Sequence, residues 1–111
     1  MSITEVSVEE LEAALAAGAR LVDVREADEY ENGHVAGAVH VALGTVADNV
    51  AAFRPAADGD GAPYVICKVG GRSMRACEFL AQQGVAAINV AGGTMEWVVS
   101  GRKVVAGSQP L

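Results

Sequence analysis

Short stretches of uninterrupted apolar residues recur along this 111-residue chain, and a segment with a different pattern lies between each one and the next. A strand that is apolar on both faces is typical of a parallel sheet, because helices then cover both sides of it. Alternation of strands with helices indicates the same architecture. We therefore expect an α/β fold with an open, mostly parallel, five-stranded sheet and helices on both faces. The strands are expected at residues 3–6, 21–24, 39–41, 64–67 and 87–90.

The segments between the strands carry helix signals. Ser7 and Glu10 stand in the positions of a capping box, and Gly18 is a suitable stop for the helix that Ser7 would begin. A short charged helix or turn is expected at 25–31, and helical spacing spans 44–53, 72–83 and 94–100. The polar segment 55–63 is expected to be a linker with no regular structure at 56–62, and the tail from Lys103 onward is expected to be loosely held.

The length and composition limit the kind of protein. A chain of 111 residues suggests a single domain, 1–111. The formal net charge of −6 argues against a general nucleic-acid or anionic-membrane binder. No apolar run approaches the ~20 residues of a membrane span, and the first residues do not resemble a secretory signal. Two cysteines in a domain with an ordinary core fit a reducing compartment, so we expect a cytoplasmic location.

The strand expected at 64–67 ends on a cysteine that we take as the candidate catalytic nucleophile, Cys67. In parallel sheets, ligands bind at the carboxyl ends of strands. Glycines directly after the cysteine allow backbone N–H groups to turn inward as an anion nest, and the following helix adds its positive end. Nearby cations, Arg75 among them, are expected to help lower the pKa of the thiol. The predicted anion cradle consists of Lys68, Val69, Gly70, Gly71, Arg72 and Ser73.

A thiolate in such a cradle can attack sulfur, phosphorus or arsenic. Cysteine phosphatases have a C-x5-R loop that encloses a tetrahedral phosphoryl group, whereas only four residues separate Cys67 from Arg72. The smaller ring favours a single sulfur atom. A cysteine-dependent phosphatase or arsenate reductase remains the alternative, and the presence of Ile66 rather than histidine before the cysteine counts against it.

The loop resembles the active-site loop of single-domain rhodaneses, the sulfurtransferases, which often read C-x-x-G-x-R-S. Three further stretches, 21–26, 30–38 and Gly92-Gly93 with Trp97, are similar to other signatures of that family, so the resemblance spans 6–104. It implies a five-stranded parallel sheet and a double displacement. Cys67 would take a sulfane sulfur from a thiosulfate-type or persulfide donor and pass it to cyanide or a thiol, without a metal or organic cofactor. A sulfur-relay protein is a further partner that the resemblance suggests.

Two positions depart from the large two-domain thiosulfate rhodaneses. Glu29 and Val69 stand where those proteins have basic residues, which leaves the identity of the donor open. A noncatalytic rhodanese-like binding module is a third hypothesis, and the intact cysteine loop disfavours it.

Supporting roles are predicted for Asp23, Arg25 and His34. Asp23 lies within an apolar run and needs a partner, which Arg25 would supply in a pair that braces the cysteine loop, although Arg25 could equally lie at the surface. His34 is interpreted as a hydrogen-bonding loop residue. The histidines and cysteines have no C-x2-C or H-x3-H spacing, so no metal site is expected.

Three more residues have alternative interpretations. Cys77 is assigned to core packing, with a resolving thiol as the alternative. The guanidinium of Arg72 either points at the sulfur or binds a nearby acid. Gly92-Gly93 and Trp97 are assigned to a turn and the core, and Thr94 to the lining of the pocket.

Overall fold

A computed structural model describes residues 2–55 and 61–111 of the protein. Its sheet has five parallel strands in the order β1-β5-β4-β2-β3, which confirms the predicted fold class. Most of the linker predicted to lack regular structure, residues 56–60, lies outside the described residues. The strands are β1 (Glu5–Val6), β2 (Leu21–Asp23), β3 (Val39–His40), β4 (Tyr64–Ile66) and β5 (Ile88–Val90).

The described residues form four α-helices: α1 (Val8–Ala16), α2 (Ala27–Asn32), α3 (Gly71–Gln82) and α4 (Gly93–Val99). The first three connect strands, and α4 follows β5. The predicted helix at 44–53 is instead two 3-10 segments, Leu43–Asp48 and Val50–Phe53. The break falls at Asn49, whose backbone φ of −130° is not helical. The Asn49 side-chain amide donates to the carbonyl of Thr45 at 2.8 Å, a local bond that competes with helix continuation.

The sheet is covered on both faces, as its apolar strands require. Alternate residues of β4 point to opposite sides: Val65 packs with the buried face of α3 and the 3-10 segments, and Ile66 packs with α1, α2 and α4. The cluster on the α3 side contains Val22, Val24, Val46, Phe53, Val65, Cys67, Ala76, Cys77, Leu80, Val85 and Ala87. The cluster on the other side contains Val8, Leu11, Leu21, Tyr30, Val35, Ala38, Ile66, Val90 and Trp97.

The predicted capping box of α1 is present. The Ser7 hydroxyl accepts the N–H of Glu10 at 3.1 Å, and the Glu10 carboxylate accepts the N–H of Ser7 at 3.0 Å. Gly18, just beyond the helix, has a positive φ of 95°, which suits its role as the stop.

The C-terminal tail is bound to the domain, so the prediction of a loosely held tail is wrong. Val105 forms an antiparallel bridge with His34, and the N–H of Gly107 donates to the carbonyl of Glu31 at 2.9 Å. The indole N–H of Trp97 donates to the carbonyl of Lys103 at 2.8 Å. Glu31 and His34 lie in and just after α2, and Trp97 lies in α4. These contacts join distant segments of the chain, so local sequence patterns do not predict them.

The strand order places a topological switch between β2 and β4. The chain moves outward from β2 to β3 on one side and from β4 to β5 on the other. Crevices for ligands form where such connections diverge, at the carboxyl ends of the strands. Cys67 follows β4 at this point, and Arg25 follows β2.

A buried ion pair lies at the end of β2. Arg25 donates from Nε to Asp23 Oδ1 at 3.0 Å and from Nη2 to Oδ2 at 2.9 Å, and both side chains are buried. Nη2 also donates to the carbonyl of Gly33 at 2.8 Å. The expected partner of Asp23 is therefore Arg25, and the alternative of a surface arginine is wrong. The pair holds the turn at Gly33.

Removing one member of this pair should be costly. We expect Arg25→Met to lower the free energy of unfolding by about 3–5 kcal/mol, because the Asp23 carboxylate is left buried without a counter-ion. The double variant Asp23→Leu with Arg25→Met should recover most of the loss. Urea denaturation measures both. Glu12→Gln, which breaks the exposed pair with Arg102, is the control and should cost about 0–1 kcal/mol. An equal cost for the buried and the exposed pair would contradict the prediction.

Candidate active site

Cys67 is the first residue beyond β4, and its side chain is only 1% exposed. Its sulfur accepts hydrogen bonds from the loop that follows. The N–H of Gly70 lies 3.0 Å from Sγ, and the Ser73 hydroxyl lies 3.3 Å from it. The backbone N–H groups of Val69 and Ser73 also act to lower the pKa of this sulfur. Three backbone amides and one hydroxyl therefore stabilise charge on one atom.

These donors determine the ionisation of the thiol. Burial by itself would raise the pKa of Cys67, but the hydrogen bonds from the Ser73 hydroxyl and from the amides of Ser73, Gly70 and Val69 outweigh it, and the pKa is lowered. The direction agrees with the sequence-based prediction. The cause differs, because we expected cationic side chains to contribute, whereas neutral hydrogen-bond donors account for most of the lowering.

Gly70 makes the sharp turn between the cysteine and α3. Its φ is 111°, in the region that favours glycine, and α3 begins at the next residue. The Asn89 side-chain amide donates to the Gly70 carbonyl at 3.2 Å and to Glu5 Oε2 at 2.8 Å, so it ties the loop to β5 and β1. We did not predict a role for Asn89. The signal was its polarity within the apolar strand β5, the same signal that drew attention to Asp23.

The N-terminus of α4 closes the loop from the other side. The N–H and the hydroxyl of Thr94 donate to the carbonyl of Cys67 at 2.9 and 3.0 Å, and the N–H of Met95 donates to the carbonyl of Lys68 at 2.9 Å. A Cβ at Gly93 would lie 2.5 Å from the Lys68 oxygen and 2.6 Å from the Cys67 oxygen. Our assignment of Gly92-Gly93 to a turn therefore missed its main role, the close contact of Gly93 with the cysteine loop.

Arg72 does not point at the sulfur. Its guanidinium forms a two-point ion pair with Glu29 of α2, at 2.7 Å from Nη1 to Oε1 and 2.9 Å from Nη2 to Oε2. Hydrogen bonds from Arg72 lower the pKa of Glu29 to about 2, so the pair stays charged at neutral pH. Of the two interpretations of the Arg72 side chain, the structure supports binding to a nearby acid.

The other predicted cradle residues have different surroundings. Lys68 and Val69 have exposed side chains, and Gly71 is the first residue of α3. Lys68 lines a groove of about 420 Å³ between α2 and α4. The cradle as described is thus made by backbone atoms and by Ser73, and not by the side chains of Lys68 or Arg72.

The predicted supporting residues make their hydrogen bonds outside the cysteine loop, although Arg25 lines the same groove as Lys68. The His34 ring is buried and stacks on Tyr30 with ring centroids 3.8 Å apart, and its Nδ1 lies 2.8 Å from the Tyr30 carbonyl oxygen. Asp23 and Arg25 brace the turn at Gly33. Within residues 2–55 and 61–111, no hydrogen bond joins these three side chains to residues 67–73.

Cys77 is a core residue in this structure. It is fully buried among the apolar side chains of the α3 face, and burial raises its pKa to about 12. A thiol of that pKa is almost entirely protonated at neutral pH, so the pKa values of the two cysteines are shifted in opposite directions.

Comparison with known proteins places this chain in a family. Residues 7–100 match the family described as Rhodanese-like domain. The chain belongs to the rhodanese-like domain family. It is 35% identical over 99 residues to the putative sulfurtransferase YtwF of Bacillus subtilis, with 87% of this chain and 92% of YtwF covered. It is 36% identical over 93 residues to the thiosulfate sulfurtransferase GlpE of Pseudomonas entomophila, with 83% and 82% covered.

The fold is shared with solved structures of the same family. A rhodanese-related protein from Thermoplasma volcanium superposes with a TM-score of 0.80 at 28% sequence identity, with 92% of this chain and 97% of that chain covered. Among the described helices of this rhodanese-like protein, none has the length and apolar character needed to cross a membrane. Within the described residues, no group of three or more His, Cys, Asp and Glu side chains is arranged to hold a metal ion.

The Ser73 hydroxyl provides a test of how the thiol is ionised. We expect Ser73→Ala to raise the pKa of Cys67 by roughly one to two units, because a hydrogen bond to a charged group contributes about 1.5–3 kcal/mol. The rate of iodoacetamide alkylation as a function of pH measures this pKa. Ser100→Ala is the control, since that hydroxyl donates to Trp97 O. An unchanged alkylation profile in Ser73→Ala would show that the hydroxyl does not stabilise the thiolate.

Gly93 provides a test of the contact between α4 and the loop. We expect Gly93→Ala to lower the free energy of unfolding by at least the ~1–3 kcal/mol of a strained backbone position. We also expect it to raise the pKa of Cys67, because the loop carbonyls must move to make room for the added Cβ. Gly18→Ala is the matched control, with a φ of 95° and nothing within 4 Å of the added Cβ. Chemical denaturation and the alkylation assay measure the two effects. If Gly18→Ala and Gly93→Ala behave alike in both assays, the close approach has no role.

Proposed function

We propose that this protein is a sulfurtransferase that carries a sulfane sulfur as a persulfide on Cys67. The observation that carries the proposal is the convergence of the Val69, Gly70 and Ser73 amides on a thiol whose pKa is lowered. Its membership in the rhodanese-like family, and the sulfurtransferase names of YtwF and GlpE, support the same reaction class.

In the first step, the Cys67 thiolate attacks the outer sulfur of a donor. With thiosulfate, the sulfur–sulfur bond of the donor breaks, sulfite leaves with the bonding electron pair, and the new terminal sulfur on Cys67 carries the negative charge. The first N–H groups of α3 have no partners within the helix. We assign the amides of Gly71 and Arg72 to this terminal sulfur, as the outer part of the cradle.

In the second step, an acceptor removes the terminal sulfur. Cyanide or a thiolate attacks it, the bond between the two sulfur atoms on Cys67 breaks, and the electron pair stays on Sγ. The regenerated thiolate returns to the hydrogen bonds of the cradle, which favour it as the leaving group. The cycle requires no metal or redox cofactor, and it requires that Cys67 stay reduced, which fits the cytoplasm.

The donor is restricted by the charges around the cradle. Arg72, the arginine that follows the glycine turn of the cysteine loop, is paired with Glu29. Thiosulfate, the donor named for GlpE, would therefore be bound by backbone amides and by Lys68 at the rim of the site. A persulfide donor, including one held on a sulfur-relay protein, carries less charge and makes a smaller electrostatic demand on the site.

Loading of the protein with sulfur tests the proposal. After incubation with thiosulfate or a persulfide donor, intact mass spectrometry should show one added sulfur atom, which cyanide removes as thiocyanate. Cys67→Ser should abolish both the adduct and the transfer. Cys77→Ser is the matched control and should load like the parent protein, because Cys77 is buried with a pKa of about 12.

Two results would overturn the proposal. Turnover of an aryl phosphate without sulfur loading would indicate phosphatase chemistry on the same thiolate. The absence of an adduct from every sulfane donor would indicate a binding module.

A further inference from the structure

The groove between α2 and α4 has no role in the proposed reaction so far. It reaches the cysteine loop at Lys68, the residue next to the nucleophile, and its volume of about 420 Å³ lies within the range of small-molecule sites. Thr94 and Met95 form the wall where α4 meets the loop. The lining also includes Arg25, Glu29, Val98 and Val99.

Much of this lining is apolar and exposed. Met95, Val98 and Val99 project from α4 with 46%, 49% and 74% of their surfaces exposed. Val69 of the cysteine loop is also exposed. Of the six large hydrophobic residues that the described structure exposes, three line this groove and Val69 lies in the cysteine loop, whereas Val39 and Leu111 lie elsewhere. Apolar surface grouped in this way marks a binding site more often than scattered apolar residues do.

The charges of the groove are mostly neutralised. Arg25 is paired with Asp23 beneath the surface, and Glu29 is paired with Arg72 at its edge. Among the residues that the structure describes, no carboxylate lies within ion-pair distance of the Lys68 ammonium group. The groove therefore presents an apolar wall and one uncompensated positive charge.

We propose that this groove binds the acceptor of the sulfur, and that the acceptor is a small thiol with an aliphatic body and one carboxylate. Its methylene groups contact Met95, Val98 and Val99, and its carboxylate pairs with Lys68. This inference rests on the proposed function. It adds the chemical class of the acceptor and the residues that select it.

The transfer to the acceptor conserves atoms and electrons, as does the second step of the proposed cycle. The thiol proton of the bound acceptor passes to the negatively charged terminal sulfur of the Cys67 persulfide, and the resulting thiolate of the acceptor attacks that sulfur. The bond between that sulfur and Sγ breaks, and its electron pair stays on Sγ. The products are the Cys67 thiolate and the hydropersulfide of the acceptor, so no external oxidant or reductant is consumed.

The test compares four terminal thiols that differ in length and charge: mercaptopropanol, mercaptopropionate, mercaptohexanol and mercaptohexanoate. Protein whose persulfide has been verified by intact mass is mixed with each thiol, and the loss of the added sulfur is followed in a single turnover. Each rate is divided by the rate of the same thiol with a small-molecule persulfide. We expect the longer chain to increase the corrected second-order rate about tenfold, because partial burial of each methylene stabilises the complex. We expect the carboxylate to increase it roughly threefold, as an exposed ion pair would.

Two variants assign these preferences to residues. Lys68→Met should remove the advantage of mercaptohexanoate over mercaptohexanol. Val98→Ser should reduce the advantage of the long thiols over the short ones severalfold. Val39→Ser is the matched control for Val98→Ser, because both valines are 49% exposed and Val39 lies on β3, outside the groove.

The outcomes separate this inference from the proposed function. If no persulfide forms, the proposed function fails before the acceptor is tested. If the persulfide forms and the four thiols react at equal corrected rates, sulfur transfer stands and the acceptor groove is refuted. Equal effects of Val98→Ser and Val39→Ser would also refute the acceptor groove, because the advantage of the long thiols would then not depend on a residue that lines it.

Discussion

The site depends on the contact between the N-terminus of α4 and the first two carbonyls of the cysteine loop. The amides of Thr94 and Met95 hold the oxygens of Cys67 and Lys68 on the side of the loop that faces α4. In a trans peptide the N–H points away from the C=O of the same unit. The Lys68 carbonyl shares its peptide unit with the Val69 N–H, so holding that oxygen toward α4 directs the Val69 N–H toward the sulfur, whose pKa it helps to lower. Gly93 permits the contact because a Cβ there would overlap both oxygens.

The electrostatics of the site follow from dipoles rather than from free charges. A lysine and two arginines lie within nine residues of loop and helix in a chain of net charge −6, and this pattern led us to expect a local positive field. The field is weaker than that count implies, because Glu29 binds Arg72 at two points. Oriented amides stabilise a thiolate without presenting a mobile cation to solvent. A site built in this way stabilises a single charged sulfur atom and attracts polyanions only weakly.

The sequence predicted what depends on local pattern. The strands, the Ser7–Glu10 capping box and the turn after Cys67 each have signals within a few residues, and each is present. The contacts that complete the site join distant positions. Glu29 and Arg72 are 43 residues apart, Thr94 and Cys67 are 27 apart, and Asn89 and Gly70 are 19 apart. The apolar periodicity of 44–53 wrongly predicted one continuous helix, because periodicity does not take account of the local hydrogen bond that the Asn49 side chain makes.

The Glu29–Arg72 pair also explains why the loop arginine is better understood as a structural tie than as a substrate ligand. Gly70 turns the chain, so α3 begins at Gly71 and Arg72 is its second residue. From there its guanidinium reaches α2, and the pair joins the helix after Cys67 to the helix after β2, across the topological switch. The same pair borders the groove between α2 and α4. Because Arg25 is likewise bound to Asp23, the proposed function leaves Lys68 to recognise a substrate anion at this edge, and its position next to Cys67 would set the distance between that anion and the transferred sulfur.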